Sequence, residues 1–286
     1  MKLSSLQTTN AKFVLGQFDQ LAALVGLLGL DLQAHPEDAR ELINFKNKLM
    51  QILGSKSSGV IIDPNYGFES LAFQPKKSGL AIRLEDIVAE NERQQLPRII
   101  ENWGIEQIKN NYSVAKFELF YHPSEAEALT KKQIVAEIYD FCKYEQIDFL
   151  LQLRIFNPMG GVLPETEHPE LQLTAIQELR KNCDLLALEY PGSSLSSATV
   201  TAELDTPWIL LSHHEPKLEP YELLKAHLRE TLENGAVGIS AGSILWADLG
   251  KVRAADMSLN WEQIENFLKT SSLDRIAELQ RIILES

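Results

Sequence analysis

Lys116 lies inside the apolar run Val114–Tyr121, where an ammonium group is costly unless something uses it. At the two-residue period of a strand, Glu118 and Phe120 share its face. An enclosed amine gives up its proton more readily than a solvated one, and the neutral amine can add to a carbonyl carbon to form an imine. The bland alternative is a lysine salt-bridged to a carboxylate. Asp31 is the candidate partner, because it closes the apolar stretch that begins at Leu21, and a carboxylate there needs a cation.

The segment Cys183–Pro191 has the composition of a central parallel strand: apolar residues bounded by Asp184 and Glu189 and stopped by a proline. It carries no nucleophile, and Ala187 stands in its middle. Glu189 has the parity of Ala187 and serves either as an acid/base group or as a partner for Arg154. Arg154 has the parity of Gln152, and an inward arginine near a strand end suits a carboxylate, sulfonate or phosphate. His122, His213 and His214 invite a metal reading. Adjacent strand residues point to opposite faces, however, so only one of His213 and His214 can line a cavity, and no metal is assigned. Tyr66 and Tyr121 suit packing and substrate contact equally, and Lys76-Lys77 reads as a solvated loop pair.

Eight β-type runs can carry these groups: Ala23–Leu32, Val60–Asp63, Gly79–Leu84, Ala115–Tyr121, Phe149–Phe156, Leu185–Tyr190, Trp208–His213 and Val237–Ala241. Helical patterns over Pro36–Leu53, Leu96–Asn111, Ser124–Tyr144, His168–Asn182 and Glu219–Asn234 separate most of them, and Trp261–Leu284 closes the chain. This alternation is the pattern of one (β/α)8 barrel over residues 1–286, with chemistry at the C-terminal strand ends. The connection Gly192–Pro207 has room for one or two helical turns. A helix over about residues 4–20 is expected before the first strand, plugging the barrel's N-terminal mouth.

Composition narrows the function. The 286 residues carry 27 Lys+Arg against 40 Asp+Glu, a formal charge of −13, with no basic tract, so nucleic acid and anionic membrane are excluded as partners on electrostatic grounds. The most apolar stretch, Leu21 to Leu30, is about half the length of a membrane span. Cys142 and Cys183 lack the spacing of a disulfide framework or a zinc module, which suits a soluble protein of the reducing cytoplasm.

From about Leu21 to Trp246 the chain resembles the class I tagatose 1,6-bisphosphate aldolases. The resemblance rests on Gly59-Val60-Ile61-Ile62-Asp63-Pro64-Asn65-Tyr66-Gly67, on Val114-Ala115-Lys116-Phe117-Glu118-Leu119-Phe120-Tyr121, on Leu96-Pro97 through Trp103, on Asp184–Pro191 and on Gly242–Trp246. It implies a site built from an Asp on the first strand, a Lys on the fourth, a Glu on the fifth and a Schiff-base Lys on the sixth. Asp31 and Lys116 take the first two positions, Gln152 replaces the Glu, and Ala187 replaces the covalent nucleophile. Asp63, at a matched strand end, is implied as a substrate contact. At the phosphate end, Ser212, His213, Gly242 and Ser243 fall where the family uses Ser-Ala-Gly backbone groups and an Arg after a Gly; here His214 replaces the glycine and Ser243 the arginine.

The reading is therefore a divergent aldolase-like lyase for a small anionic or phosphorylated sugar or keto compound, with no cofactor. Asp31, Lys116, Gln152 and Glu189 are its expected catalytic groups, and Asp63, Arg154, Ser212, His213, Gly242 and Ser243 its binding groups. The alternative is a catalytically inactive homologue that binds a metabolite and acts through a protein partner. A homo-oligomer is compatible with either.

Overall fold

A computed structural model describes residues 2–86, 93–212, 220–250, 252–254 and 258–286. Short runs rich in Val, Ile, Leu and Phe form the strands β1 (Phe13–Gln17), β2 (Gly59–Ile62), β3 (Gly79–Arg83), β4 (Val114–Tyr121), β5 (Phe149–Ile155), β6 (Leu185–Leu188), β7 (Trp208–Leu211) and β8 (Gly238–Ala241). All pair in parallel in chain order, and β1 closes on β8 through Phe13↔Gly238 to Gly16↔Ala241. The protein is a closed (β/α)8 barrel, as its alternation of elements requires.

The helices α1 (Leu21–Leu28), α2 (Asp38–Leu53), α3 (Ile105–Asn110), α4 (Ala128–Glu145), α5 (His168–Leu179), α6 (Ser194–Glu203), α7 (Tyr221–Glu233), α8 (Trp261–Phe267) and α9 (Leu273–Glu285) include the outer ring. A π-helical turn, Leu268–Ser272, joins α8 to α9. α6 is longer than the one or two turns expected of its connection; the Ser193 hydroxyl accepts the Ser196 amide at 3.1 Å and caps its start.

Two apolar layers follow from the strand period. Outward residues such as Val14, Ile62, Phe117, Leu153 and Leu188 meet the helices. Inward residues Phe13, Leu15, Ile61, Val114, Leu150, Leu185, Ala187 and Ile209 fill the lower half of the barrel as a dry plug of side chains.

The start of the chain departs from the expected order. Residues 4–20 do not form a helix: a 3-10 turn, Leu3–Leu6, is followed by β1, and the expected first strand Ala23–Leu32 is instead α1 and the loop after it. An all-apolar run has no period to distinguish helix from strand, and Leu-Ala-Ala-Leu-Val-Gly-Leu-Leu favours helix because only one residue is β-branched. Gly29 ends it in the left-handed conformation at φ 62°. The plugging role does hold, carried by the turn rather than by a helix. Leu6 is fully buried within the inner layer, and a Cβ on Gly79 would lie 2.1 Å from the Ser5 carbonyl oxygen, so only glycine lets the turn seat there.

Candidate functional site

Above the dry plug, the inward positions become polar. Gln17, Arg83, Lys116 and Gln152 follow directly on the apolar inward residues of β1, β3, β4 and β5, and all four are buried. Charged side chains there must satisfy one another or a ligand.

Lys116 is fully buried and meets three carboxylates. Its Nζ lies 2.5 Å from Glu85 Oε1, 3.0 Å from Asp19 Oδ2 and 3.8 Å from Glu118 Oε2. Burial pulls the ammonium's pKa down, but Asp19, Glu85 and Glu118 outweigh it, and the pKa ends above the ordinary lysine value. Burial pushes Glu85 the other way, up to about 7; Lys116 and Arg83 oppose the rise, while Asp19 and Glu118 add to it. The pair thus places a firmly protonated amine against a carboxyl that exchanges its proton near neutrality.

Arg83 completes this group. Its Nη1 donates to the Asp19 carbonyl oxygen at 2.7 Å. Its Nε and Nη2 have no hydrogen-bond partner among the described residues, and neither do Asp19 Oδ1 and Glu85 Oε2. These atoms are buried, and a buried polar atom left dry costs about 1–3 kcal/mol, so the group is built to receive water or a polar ligand.

Arg154 points inward as its parity requires, but it is held by carboxylates. Its Nε donates to Glu118 Oε1 at 2.5 Å and its Nη1 to Glu189 Oε1 at 2.9 Å. The expected grip on a ligand anion would have to displace these partners. Glu189 is the stabilising partner of Arg154, and its Oε2 lies 3.6 Å from His168 Nε2.

Below them, Gln17 Nε2 donates to Gln152 Oε1 at 3.1 Å, Gln152 Nε2 to Ser240 Oγ at 3.4 Å, and Ser240 Oγ to Gln17 Oε1 at 3.3 Å. This closed triangle satisfies Gln152 without a ligand. Ala187, in register with Gln152, belongs to the dry inner layer and is fully buried.

At the β7 and β8 ends, the Ser212 hydroxyl oxygen accepts the Gly242 amide at 3.1 Å, and Gln20 Oε1 accepts the Ser243 amide at 2.6 Å. A Cβ on Gly242 would lie 2.3 Å from Gln20 Oε1, so the glycine makes room for that amide. Ser212, Gly242 and Ser243 are brought together as expected, but as a corner filled by Gln20. Expected position His213 lies outside the described residues, as does His214.

Two expected residues stand elsewhere. Asp31 is exposed in the loop between α1 and α2, where its Oδ1 accepts the amides of Ala34 at 2.9 Å and Gln33 at 3.1 Å; these bonds lower its pKa. The mistaken first strand put it at the mouth. The carboxylate that ends β1 is Asp19, 1% exposed. Asp63 does end β2, but it is ion-paired with Lys46 of α2 and its Oδ1 accepts the Tyr66 amide at 2.8 Å. Burial raises its pKa, and Lys46 and Arg83 more than reverse this. It supports the wall, with each oxygen bonded within the protein. Tyr121 faces outward and donates its hydroxyl to Glu178, and the ring of Tyr66 packs on the outer core. The His122 Nδ1 accepts the Ser124 amide at 3.1 Å. Asp31→Asn should therefore leave ligand binding at the mouth unchanged, whereas Asp19→Asn should weaken it; titration calorimetry of both variants with one ligand checks the assignment.

Sequence reasoning missed Asp19, Gln20, Arg83 and Glu85. The signal was present for two of them: Arg83 and Glu85 sit two residues apart as the apolar run of β3 ends, and so share its inward face.

Comparison with known proteins agrees with this architecture. Tagatose 1,6-diphosphate aldolase 1 of Enterococcus faecalis is 23% identical over 298 residues, covering 94% of this chain and 89% of its own. Tagatose 1,6-diphosphate aldolase 2 of Streptococcus agalactiae is 24% identical over 302 residues, covering 94% and 90%. Among solved structures, an archaeal fructose 1,6-bisphosphate aldolase superposes with a TM-score of 0.67 at 12% identity, over 99% of this chain and 98% of its own. A Schiff-base-forming fructose-1,6-bisphosphate aldolase gives 0.65 at 13% identity, over 98% of each. No protein-family model matches the chain. The chain is aldolase-like in sequence and in fold.

Proposed function

We propose that the barrel mouth is an aldolase-like site that binds a small polyhydroxy carbonyl compound and moves its protons without a covalent intermediate. The observation that carries this reading is the contact of Lys116 with Glu85 at 2.5 Å, beside unpartnered atoms of Arg83 and Asp19. An imine requires a neutral amine, and three carboxylates hold Lys116 as an ammonium. Ammonium and guanidinium groups instead stabilise charge that develops on a carbonyl oxygen.

The chemistry balances within these groups. The substrate carbonyl oxygen accepts a hydrogen bond from Lys116 or Arg83. The Glu85 carboxylate takes a proton from the α-carbon, and the C–H electron pair becomes the enolate. For carbon–carbon cleavage the carboxylate instead takes the β-hydroxyl proton, the bond between the α- and β-carbons breaks toward the carbonyl oxygen, and the proton returns to the α-carbon. A carboxyl whose pKa is about 7 is matched to both halves of that exchange at neutral pH.

A second reading, binding without turnover, is favoured by Ala187, which puts a buried methyl group where the resemblance implies the covalent nucleophile. Proton NMR of dihydroxyacetone in D2O separates the two. Loss of the α-proton signal with wild-type protein, and its absence with Glu85→Gln, supports proton transfer. Saturable binding without exchange selects the binding role, and a borohydride-trapped adduct on Lys116 would replace the non-covalent route with an imine.

A further inference from the structure

Barrel enzymes of this architecture commonly bind substrate phosphate with backbone amides after strands seven and eight. Among the described residues of this chain, the Gly242 and Ser243 amides after strand eight are already taken. The Ser243 amide donates to Gln20 Oε1 at 2.6 Å, the Gly242 amide donates to Ser212 Oγ at 3.1 Å, and the Gln20 amide group occupies the space above Gly242. We propose that the mouth takes an uncharged polyhydroxy carbonyl ligand and rejects its phosphate ester, with Gln20 as the specificity-determining residue. This rests on the reading of the mouth as the ligand site.

Charge at the mouth argues the same way. Among the described residues, Arg83, Lys116 and Arg154 face the buried carboxylates of Asp19, Glu85 and Glu189 and the half-buried carboxylate of Glu118. From these residues a phosphate dianion would meet no net positive field, and it would have to compete with carboxylates already bonded to the cations. The atoms left over are a mixture: Gln20 Nε2 and Arg83 Nε and Nη2 donate, Asp19 Oδ1 and Glu85 Oε2 accept, and the Ser243 hydroxyl does either. Asp19, Arg83, Glu85 and Ser243 are each less than a tenth exposed. Hydroxyl and carbonyl oxygens can meet such a mixture, because a hydroxyl both donates and accepts. A phosphate dianion only accepts, and would leave the carboxylate oxygens facing it unpaired.

Gln20 can be removed without touching the Lys116–Glu85 pair. Calorimetric titration of the full chain with inorganic phosphate, dihydroxyacetone and dihydroxyacetone phosphate provides the test, with Gln20→Gly alongside. The wild type is expected to bind dihydroxyacetone at least about tenfold more tightly than its phosphate, a difference of about 1.4 kcal/mol, and to show no heat with phosphate. The Gln20→Gly variant frees the Ser243 amide and should gain phosphate binding, while its affinity for dihydroxyacetone falls with the loss of the Gln20 Nε2 donor, so the tenfold preference of the wild type is lost. Tighter binding of the phosphate ester by the wild type overturns the proposal even if the variant fails to fold. Failure of proton exchange with intact discrimination would overturn only the catalytic reading, because this titration reads affinity and not turnover.

Discussion

The Lys116→Met variant is expected to be about 3–5 kcal/mol less stable than the parent at pH 8, the range found when one partner of a buried ion pair is removed. Methionine keeps most of the volume of the stem, so the loss isolates the charge. Asp19 at 3.0 Å and Glu85 at 2.5 Å would lose the cation that holds their charges in the barrel. Arg83 bonds the Asp19 carbonyl oxygen rather than its carboxylate and does not replace Lys116. The deficit should shrink toward pH 5. Without Lys116 the pKa of Glu85, already raised by burial, rises further in the folded state, and a carboxyl raised on folding favours the fold at low pH and loses that contribution as pH rises through its folded value. Urea unfolding at the two pH values measures both effects. A deficit under about 1 kcal/mol that does not change with pH would show that Lys116 does not carry the charge balance of the mouth.

Most of the barrel was legible because seven of its strands announce themselves by composition. Phe149–Phe156, for example, is expected one residue longer than the β5 that forms, and Trp208–His213 contains β7. β1 was hidden by competition. Its five residues, Phe-Val-Leu-Gly-Gln, end on a polar side chain, and the longer apolar run that follows outweighs them by hydropathy alone. What distinguishes the two is local preference, Leu and Ala against Phe and Val, reinforced by a glycine able to end α1 at positive φ. Parity then propagated the error: a strand ending at position 32 makes Asp31 a mouth residue, and one ending at position 17 puts Asp19 there.

The site was half legible for a related reason. Lys116, Gln152, Arg154 and Glu189 all point inward as strand parity requires, since each lies in or next to a strand whose limits were read closely. What parity does not report is who pairs with whom across the barrel. Gln152 finds Gln17 and Ser240, 135 and 88 positions away, and Arg154 finds Glu118 and Glu189. Those pairings turn expected substrate contacts into internal ones and move the open chemistry to Arg83, Glu85 and Asp19. Asp63 illustrates the same limit: its buried partner, Lys46, comes from the exterior helix α2, where no strand pattern would seek it.

The Glu85→Gln variant should remove a pH dependence that the wild type carries. A glutamate ordinarily titrates at 4.5, and Glu85 in the fold holds its proton to about 7. Below pH 4.5 both states are protonated and the full contribution to stability is present. Between 4.5 and 7 only the unfolded chain releases the proton, so stability falls by 1.36 kcal/mol per pH unit, about 3 kcal/mol in all, and levels off above 7. Glutamine has the shape of the protonated acid and cannot ionise, while Asp19 and Glu118 remain to balance Lys116. Relative to wild type, the variant should therefore gain about 3 kcal/mol between pH 5 and pH 8, with most of the gain made before pH 7. Denaturant midpoints of the two proteins across that range measure the difference directly. Parallel curves would mean that Glu85 is ionised throughout and is merely a counter-ion. A rising difference together with lost α-proton exchange in Glu85→Gln would mean that the chain keeps, at a cost to its stability, a carboxyl placed to trade protons at neutral pH, which a purely structural ion pair has no reason to do.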